Sequence, residues 1–370
     1  MQNKKRILVL FVEPMYYGLD LVREVYEKTG FEYQYVYCYS SVTGKDNVTL
    51  PNGAVILSGD KKARKKQIRA IFARFQPDFA VINGYVGTEQ TCAIRYCQKH
   101  KIKYAIESDT PLHIPSSKLK AFLKKQYLKN LLCSKLCFGF AGGSLQRENF
   151  LYYGMPENRA LIMPMCISED RLLKEKAALP TQEELKEKYG FRGKKVFLFV
   201  GRLTEVKNVQ LLIKSFARLK ASREDIALAI VGDGDLREEL TSLAEELGCE
   251  DVHFFGYVGF PQNVAFYKAA DAFVLPSLHE PWGLVVNEAM IMGLPVIVSS
   301  KVGCRKDLVG QGENGFIFED GDETGLIQAM EWMLNADLTA FGKSSFEKIK
   351  EWNFERYLRN FEEVIEYATE

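Results

Sequence analysis

Ser277-Leu-His-Glu-Pro-Trp-Gly-Leu-Val-Val-Asn-Glu-Ala-Met290 is the stretch of this chain that says most about its fold. It follows the short apolar run Ala272-Phe-Val-Leu-Pro276. Together the two segments predict a buried strand, a loop that contains a glycine, and a helix that ends near Met292-Gly293. A strand that leads into a helix in this way is typical of one repeat of a parallel α/β sheet.

Two carboxylates in this stretch, Glu280 and Glu288, predict a ligand with several polar parts. The first N–H groups of the helix, around Trp282 to Leu284, lack partners within the helix and carry the positive end of its dipole, so a phosphate can bind there. Gly283 would let that phosphate approach the backbone. Glu288 would lie roughly 7 Å along the axis and could receive a pair of hydroxyls. Glu280 could reach the group beyond the phosphate, an arrangement that suits a nucleotide sugar.

The same alternation of apolar strands and helices runs through most of the 370 residues. Near-continuous apolar strands separated by helices predict parallel sheets that are covered on both faces. A polar, helical linker around Cys166–Gly193 interrupts the alternation, and the chain is longer than a single core usually supports. We therefore predict an α/β chain with two Rossmann-like, doubly wound domains facing a cleft, at residues 1–168 and 169–345. A C-terminal helix within 346–370 is expected to pack back toward the first domain.

The composition, with 47% hydrophobic and 26% charged residues, is ordinary for a globular protein. No run of 18 uncharged apolar residues occurs, so we expect no membrane-spanning helix. The basic, then apolar start of the chain lacks a small-residue cleavage site, which predicts a first strand and not a signal peptide. The eight cysteines form no CxxC pair, so we expect buried thiols in a reducing cytosol and no metal site.

The net charge of +1 conceals a strong asymmetry between the two halves. Residues 1–165 carry 25 Lys and Arg against 13 Asp and Glu, a net charge of +12, whereas residues 166–370 carry 24 against 35, a net charge of −11. The span from Thr110 to Gln146 has six lysines and no acid. Such a half predicts an anionic partner, either membrane headgroups or an acidic acceptor. Nucleic acid is disfavoured because no recognised binding module occurs.

Two basic helices are predicted in this half, over 61–75 and 117–132. The first has one apolar stripe, which favours core packing with a solvated basic face: Ile68, Ile71, Phe72 and Phe75. The second combines five lysines with four large apolar residues: Leu119, Phe122, Leu123 and Tyr127. Either helix could instead lie on an anionic bilayer, so a cytoplasmic protein and one that is peripheral on the inner face of the membrane are both open alternatives.

The second half opens with a strand, a glycine turn and a helix start, in Val196-Phe-Leu-Phe-Val-Gly-Arg-Leu-Thr-Glu-Val-Lys-Asn208. Arg202 follows the strand at Gly201, and Lys207 begins the helix, so both can point at one anion. An Arg fork and a Lys point charge supply the two cations that a pyrophosphate needs. The alternative is a pair of ordinary surface residues near a turn. The carboxylate loop in the same half favours the phosphate role.

Three further loops follow predicted strands in this half. Val231-Gly-Asp-Gly-Asp235 contains Asp-x-Asp, which can hold a metal diphosphate, but we favour a tight turn in which Asp235 caps the next helix, because two cations already serve the diphosphate. Gly256-Tyr-Val-Gly259 would offer main-chain groups to a base, or be a simple loop. Gly303-Cys-Arg-Lys-Asp307 would offer N–H groups toward the ligand. No G-x-G-x-x-G fingerprint occurs, which disfavours a dinucleotide-dependent oxidoreductase.

Taken in order, these residues resemble the retaining GT-B glycosyltransferases of family 4, the group typified by glycogen and sucrose synthases. The resemblance covers the whole second half, in the following motifs: Gly-Arg-Leu-x-x-x-Lys at 201–207, Val-Gly-Asp-Gly at 231–234, Phe-Gly-Tyr-Val at 255–258, Ala-Asp at 270–271, Pro-Ser at 276–277, Glu-Pro-Trp-Gly-x4-Glu at 280–288, Ala-Met-x-x-Gly-x-Pro-Val-Ile at 289–297 and Asn-Gly-Phe at 314–316. The ordered set is specific, whereas no single member is.

The resemblance implies a donor site for a nucleoside-diphosphate sugar, UDP or GDP, with neither a metal nor another cofactor. It implies that the reacting diphosphate and sugar meet three residues: Arg202, Lys207 and Glu280. It implies that the rest of the donor is bound by the following residues: Gly201, Tyr257, Val258, Trp282, Gly283, Leu284 and Glu288. In this scheme Glu288 holds the ribose, and Tyr257-Val258 frame the base.

The first half is similar to the family only in architecture. The family usually has a glycine-rich loop after the first strand, where this chain retains only Gly18, beside Tyr17. Many members place a histidine after the strand that here runs from Tyr104, and this chain offers Glu107, Ser108 and Asp109 instead. Tyr17, Gly18, Glu107 and Asp109 are therefore the candidates on the acceptor or sugar side. Asp109, before Thr-Pro, could also simply start a turn.

The sequence thus predicts a hexosyl transfer from a nucleotide sugar to a glycan or lipid-linked acceptor, in bacterial surface polysaccharide synthesis. In the predicted mechanism, Arg202, Lys207 and the helix N-terminus stabilise the leaving diphosphate, whose oxygen takes the proton of an acceptor that attacks the same face of the sugar. The alternatives are a sugar-nucleotide epimerase of the same fold and a non-catalytic nucleotide-sugar-binding protein.

Overall fold

The computed structural model describes residues 4–40 and 49–369. Within these ranges the strands form two separate sheets, and the paired strands of both sheets are parallel. The chain divides into two compact units: unit 1 comprises residues 1–167 and 353–370, and unit 2 comprises residues 168–352. The sequence placed these divisions after residues 168 and 345.

Unit 1 contains a seven-stranded sheet with the strand order β3-β2-β1-β4-β5-β6-β7. Its strands are β1 (Arg6–Phe11), β2 (Glu32–Tyr37), β3 (Val55–Ile56), β4 (Phe79–Asn83), β5 (Lys103–Ser108), β6 (Cys137–Ala141) and β7 (Ala160–Ile162). Its helices are α1 (Tyr16–Glu24), α2 (Lys61–Phe75), α3 (Thr88–His100), α4 (Lys118–Leu132), α5 (Ser144–Tyr152) and α15 (Phe354–Thr369).

Both faces of this sheet are buried, which explains why its strands are apolar along their length. Successive residues of a strand point to opposite faces, so Leu8 belongs to the core layer formed with α2, α3 and α4, whereas Val9 belongs to the layer formed with α1 and α15. Helix α15 buries Phe361 and Ile365 in this second layer. Because burying a large apolar side chain contributes about 1.5–3 kcal/mol, the last helix belongs energetically to unit 1.

Unit 2 contains a six-stranded sheet with the strand order β10-β9-β8-β11-β12-β13. Its strands are β8 (Lys195–Val200), β9 (Ile226–Val231), β10 (Val252–Gly256), β11 (Ala272–Leu275), β12 (Val296–Ser299) and β13 (Gly315–Phe318). Its helices are α6 (Glu169–Ala178), α7 (Gln182–Lys188), α8 (Val209–Lys220), α9 (Arg237–Glu246), α10 (Val264–Ala269), α11 (Leu284–Ile291), α12 (Arg305–Leu308), α13 (Glu323–Asn335) and α14 (Leu338–Ile349).

In each unit the winding of the chain reverses at one point of the sheet. This point lies between β1 and β4 in unit 1 and between β8 and β11 in unit 2. The connections that leave the carboxyl ends of two such strands run to opposite faces, and the crevice between them is where ligands bind in open α/β sheets. The fold therefore predicts that functional residues follow these four strands.

The predicted α/β class with two doubly wound parallel sheets is confirmed. The first helix is short, since α1 ends at Glu24 and a separate 3-10 turn follows at Tyr26–Lys28. The eight cysteines are unpaired, and all except Cys133 are buried. Among the residues that the structure describes, no helix is both long enough and apolar enough to cross a membrane.

Candidate active site

The loop that leaves β8 carries Arg202 and is fastened to the turn that leaves β9. Gly232 has a φ of +149°, and a Cβ atom there would lie 1.8 Å from the carbonyl oxygen of Gly201, so only glycine fits. The N–H of Leu203 donates to the carbonyl of Asp233 at 2.9 Å. The segment after β9 is thus a tight turn, as the sequence predicted, and it supports the Arg202 loop. Arg202 itself is exposed and accessible to a ligand.

One part of that prediction is wrong, because Asp235 does not cap the following helix. Helix α9 begins at Arg237, with Leu236 at the N-cap position and no side-chain cap hydrogen bond. The reason is local: the N–H of Leu236 returns to the carbonyl of Leu203 at 3.2 Å. This bond extends the turn past Asp235 before the helix can start.

Lys207 and Glu280, which the sequence assigned to different parts of a donor, form an ion pair with each other. The N–H of Leu278 donates to the carbonyl of Val206 at 2.8 Å and joins the loop after β8 to the loop after β11. The side chains of Lys207 and Glu280 are only 18% and 13% exposed. A diphosphate at Lys207 would therefore compete with a carboxylate that is already in place, and it would release Glu280 toward another polar group.

The start of α11 has the backbone geometry of an anion site. Gly283 precedes the helix with a φ of +98°, a conformation that other residues adopt only with strain. A Cβ atom there would also lie 3.3 Å from side-chain atoms of Glu280, Leu275 and Val302. The helix begins at Leu284, and the N–H of Val286 already donates to the carbonyl of Gly283 at 2.8 Å, so the N–H groups of Leu284 and Val285 are the ones that the helix start leaves for a ligand.

Trp282 comes before that helix and anchors the loop through its ring. Its Nε1 donates to Oδ1 of Asn287 at 2.9 Å, and the buried indole stacks on Trp352 with 5.6 Å between ring centroids. The side chain of Trp282 is therefore committed to the interior of unit 2. Only its backbone is left to serve a ligand in the way that the sequence suggested.

The segment after β12 does not offer its first N–H groups to a ligand, and this prediction is wrong. The N–H of Gly303 donates to the carbonyl of Glu280 at 2.9 Å, and the N–H of Cys304 donates to the carbonyl of Trp282 at 3.0 Å. Glu280 and Val302 also form a parallel β-bridge. These bonds fix the backbone at Glu280, so the segment acts as a support for the carboxylate loop.

Glu288 lies just over one helical turn inside α11 and has a partner that the sequence did not reveal. The hydroxyl of Tyr267, on α10, donates to Oε2 of Glu288 at 2.5 Å. Burial raises the pKa of Glu288, while the Tyr267 hydrogen bond and the nearby Arg171 partly lower it. A tyrosine inside a short apolar helix gives no signal beyond core packing, which is why the pairing could not be predicted.

Tyr257 and Val258 follow β10, at the edge of the sheet. Tyr257 is 56% exposed, and Val258 is half-buried. The pairing of β10 with β9 is irregular between Phe254 and Gly256, and Gly256 has a φ of +70°. Because β9 separates β10 from β8, these two residues stand farther from the winding reversal than the other donor-side candidates.

Unit 1 has a pocket of about 310 Å³ at the carboxyl ends of its strands. It brings together three of the four candidates in this half: Tyr17, Glu107 and Asp109. The fourth, Gly18, lies with Tyr17 in a neighbouring pocket of about 230 Å³. Residues that sequence reasoning missed complete the larger lining: Asn83, Tyr85, Gln90, Phe354 and Tyr357 among them.

Glu107 is the best-connected polar group of this pocket. Its Oε1 accepts from the hydroxyl of Tyr357 on α15 at 2.7 Å, and its Oε2 accepts from Nδ2 of Asn83 at 3.3 Å. The Tyr357 hydroxyl lies 3.3 Å from that of Tyr26. Burial raises the pKa of Glu107, the two hydrogen bonds partly lower it, and Asp109 raises it further. Residues far apart in sequence thus hold one carboxyl group at the pocket wall.

The charge of this pocket differs from the charge of the half that contains it. Its lining residues, within the part of the chain that the structure describes, include Glu107 and Asp109 but no Lys or Arg. The rings of Phe11, Tyr17 and Tyr85 contribute much of the wall. The basic excess of residues 1–165 therefore does not extend into this pocket.

Across residues 4–40 and 49–369, no group of three or more His, Cys, Asp or Glu side chains is arranged to hold a metal ion. The Asp-x-Asp sequence at 233–235 fits this result, since the N–H of Gly234 donates to Oδ1 of Asp233 at 2.9 Å and closes the turn.

Solved structures share this architecture over the whole chain. A glycosyltransferase from Rickettsia africae aligns over 99% of both chains with a TM-score of 0.78 and 16% identity. Anabaena HepE, solved in complex with UDP, aligns over 98% of this chain and 100% of its own, with a TM-score of 0.78 and 14% identity. At these identities the likeness shows the fold, and that fold is GT-B.

Residues 181–348 match the family of glycosyl transferases group 1. Unit 2 is a group 1 glycosyltransferase domain. The matched range contains the Arg202 loop, the Lys207–Glu280 pair and Glu288, so every donor-side candidate lies inside the glycosyltransferase domain. The resemblance that its motifs indicated is confirmed at the level of this family.

An uncharacterized glycosyltransferase of Methanocaldococcus jannaschii is 35% identical over 169 residues, which are 45% of this chain and 38% of that protein. The chain spans 38–48% of the length of the first three curated relatives that it matches. The pocket around Glu107 lies outside the range that the glycosyltransferase family matches.

Proposed function

We propose that the protein is a retaining glycosyltransferase that moves a hexosyl group from a UDP or GDP sugar to a glycan or lipid-linked acceptor. The observation that carries the proposal is the grouping of Arg202, the Lys207–Glu280 pair, the α11 N-terminus and Glu288 around one winding reversal. All of them lie in the domain that the group 1 family matches.

On the donor side, Arg202 and Lys207 would neutralise the diphosphate together with the first N–H groups of α11. Glu280, released from Lys207, would accept hydrogen bonds from the sugar, and Glu288 would accept them from the ribose. The Tyr267 hydrogen bond supports this role, because it fixes one oxygen of Glu288 and so orients the carboxylate. Anabaena HepE, with the same fold, was solved with UDP, which supports a uridine nucleotide as the first choice.

The proposed mechanism is electrostatic. The bond between the anomeric carbon and the phosphate oxygen breaks, and the negative charge that develops on the diphosphate is stabilised by Arg202, Lys207 and the helix N-terminus. The acceptor oxygen bonds to the same face of the sugar, and its proton passes to the departing phosphate oxygen. The configuration at the anomeric carbon is retained. Two side-chain cations supply the positive charge, so we propose that neither a metal nor another cofactor is needed.

On the acceptor side, the pocket of unit 1 fits a neutral, hydroxyl-bearing group. Its wall offers aromatic faces and carboxyl oxygens that accept hydrogen bonds, but no Lys or Arg for an anion among the lining residues that the structure describes. A sugar presents this combination of apolar ring faces and hydroxyl donors. We therefore assign this pocket to the sugar end of the acceptor, and we place the reaction in bacterial surface polysaccharide synthesis at the inner face of the membrane.

Thermal-shift measurements with UDP, GDP, ADP and NAD test the donor class. We expect a rise in melting temperature with UDP or GDP, and loss of that rise in Lys207→Ala. A shift with NAD alone would contradict the proposal. Incubation of responsive nucleotide sugars with lipid-linked and glycan acceptors, followed by mass spectrometry, then tests transfer, and product NMR tests retention.

Activity that persists in EDTA is expected, and full loss that added metal restores would contradict metal independence. Two other outcomes identify the alternatives. A donor sugar converted to its epimer without an acceptor indicates an epimerase. Binding of nucleotide sugars without any turnover indicates a binding protein.

A further inference from the structure

Helix α4 exposes an unusual number of large apolar side chains. They are 68%, 58%, 57% and 48% exposed, in the order Leu119, Phe122, Leu123 and Tyr127. At ~100° per residue these positions fall within an arc of roughly 140° on one side of the helix. We call these four residues the α4 apolar face. Isolated exposed apolar residues are common, but four on one helix face indicate an interaction surface.

The opposite side of the same helix attaches it to unit 1. Leu128, Leu131 and Leu132 are buried in the core cluster beside the sheet. At the other end, the hydroxyl of Ser117 caps the helix by accepting from the N–H of Lys120 at 3.5 Å. The helix therefore has two apolar sides. One is packed in the core of unit 1, and the other, the α4 apolar face, is exposed.

Five lysines separate the two sides, and α4 contains no Asp or Glu. By helical position, Lys120 and Lys124 flank the α4 apolar face on one side, and three lysines flank it on the other: Lys118, Lys125 and Lys129. Lys124 donates to the carbonyl of His113 at 2.6 Å and lies over the ring of Tyr153. Lys125 lies 4.9 Å from the ring centroid of Tyr152. The cations thus form two rows along an apolar strip.

Helix α2 shows that charge alone does not produce this surface. It is also strongly basic, with Lys61, Lys62, Lys65 and Lys66 in its first turns. Its large apolar residues are buried in the core: Ile68, Ile71 and Phe72. From the sequence, either helix could lie on a bilayer. The structure shows that they differ, because the large apolar residues of α2 are in the core and those of the α4 apolar face are exposed.

We infer that the α4 apolar face docks on a bilayer that contains anionic lipids. An apolar strip between two rows of lysines is the pattern of a helix that lies in a membrane interface, with its apolar side among the acyl chains and its cations at the headgroups. A second copy of this chain is a poorer occupant. A symmetric contact would bring two sets of five lysines together with no acid from either helix to compensate.

Vesicle co-sedimentation of the full chain tests this inference. The two preparations are phosphatidylcholine alone and phosphatidylcholine with a quarter of phosphatidylglycerol. We expect binding to the anionic vesicles that is at least about tenfold tighter than to the neutral ones and that weakens in high salt. The triple variant Leu119→Ser/Phe122→Ser/Leu123→Ser should weaken it by about tenfold or more, because the apolar contribution is lost.

Two controls keep the result specific. The variant Lys61→Gln/Lys62→Gln/Lys65→Gln/Lys66→Gln removes four positive charges from α2, leaves α4 intact and should retain most of the binding. The melting temperature of the triple α4 variant should match that of the parent, because the replaced side chains are exposed. In Phe122→Trp, the emission of the new indole should shift to the blue with anionic vesicles only.

The inference is overturned if anionic and neutral vesicles bind alike, if the α2 variant loses binding while the α4 variant keeps it, or if the parent forms a dimer that the α4 variant disrupts. The readout is binding and not transfer. A negative result in the vesicle assay would therefore not contradict the proposed transferase activity, and a negative result in the transfer assay would not contradict membrane binding by the α4 apolar face.

Discussion

The two units of this chain have the same kind of sheet but differ in how their sites are built. Unit 2 assembles its site from loops within its sequence motifs, and two of their glycines, Gly232 and Gly283, are required by backbone geometry. Unit 1 assembles its pocket from residues scattered between Phe11 and Tyr357. Under the proposed function, unit 2 would bind the donor and unit 1 the sugar end of the acceptor.

The largest effect on transfer is expected at Lys207, which lies in unit 2. In Lys207→Ala we expect transfer to fall by about 10²–10³-fold, because a cation that stabilises the leaving diphosphate is removed. Initial rates with saturating acceptor measure it. Lys343→Ala, at an exposed position of α14, is the matched control and should transfer as the parent does. Unchanged rate and donor affinity in Lys207→Ala would remove the basis for placing the donor on unit 2.

A smaller loss is expected at the ribose position of the same unit. Glu288→Gln should weaken UDP binding by about 10–100-fold, since hydrogen bonds to a charged group contribute ~1.5–3 kcal/mol. Tyr267→Phe should weaken it by less, because it removes only the hydrogen bond that orients the carboxylate. Isothermal titration with UDP measures both. Equal affinities for the parent and Glu288→Gln would contradict the ribose assignment.

On unit 1, Tyr357→Phe removes one of the two hydrogen bonds to Glu107. We expect kcat/KM for the acceptor to fall by about 2–10-fold, the equivalent of ~0.5–1.5 kcal/mol, while the Kd for UDP stays the same. Tyr367→Phe, on the exposed side of the same helix, should change neither quantity. A variant at Tyr357 that weakens UDP binding would break the division of roles between the units.

The smallest effect concerns pH and stability. Burial raises the pKa of Glu107 above its ordinary value of 4.5, so the folded state holds this proton at a pH where the unfolded chain has released it. Between the pKa of Glu107 in the unfolded chain and its pKa in the folded protein, the free energy of unfolding falls as pH rises. In Glu107→Gln that fall should be reduced, which melting temperatures measured from pH 4.5 upward would show.

Glu157→Gln is the control for this titration, because Glu157 is exposed on the same unit. It should keep the pH dependence of the parent. If Glu107→Gln and Glu157→Gln give the same slope as the parent, then Glu107 does not hold a proton in the folded protein in this range.

Short-range patterns predicted the elements well, and long-range contacts account for what they missed. The capping box of Thr181 and Glu184 could be foreseen from their spacing, and the structure contains it. The ion pair between Lys207 and Glu280 joins residues 73 positions apart, and the hydrogen bond between Tyr357 and Glu107 joins residues 250 positions apart. No local pattern encodes such pairs, because they depend on which strands become neighbours.

Helix α4 shows a different limit of the sequence. Its apolar residues lie on two opposite sides, so periodicity alone could not tell which side enters the core and which stays exposed. Only the packing of Leu128, Leu131 and Leu132 decides the matter. The charge asymmetry describes the first half as a whole, and it does not extend to the lining of the pocket around Glu107.

The position of α15 has a consequence for synthesis on the ribosome. Unit 2 is one continuous segment, 168–352, and can complete its core as soon as that segment has emerged. Unit 1 begins earlier, but the layer containing Val9 and Phe140 stays uncovered until Phe361 and Ile365 arrive. Domains commonly fold in the order in which they are made. Here the first unit to be translated is the last that can finish folding, and its nascent form has the longer exposure to chaperones and proteases.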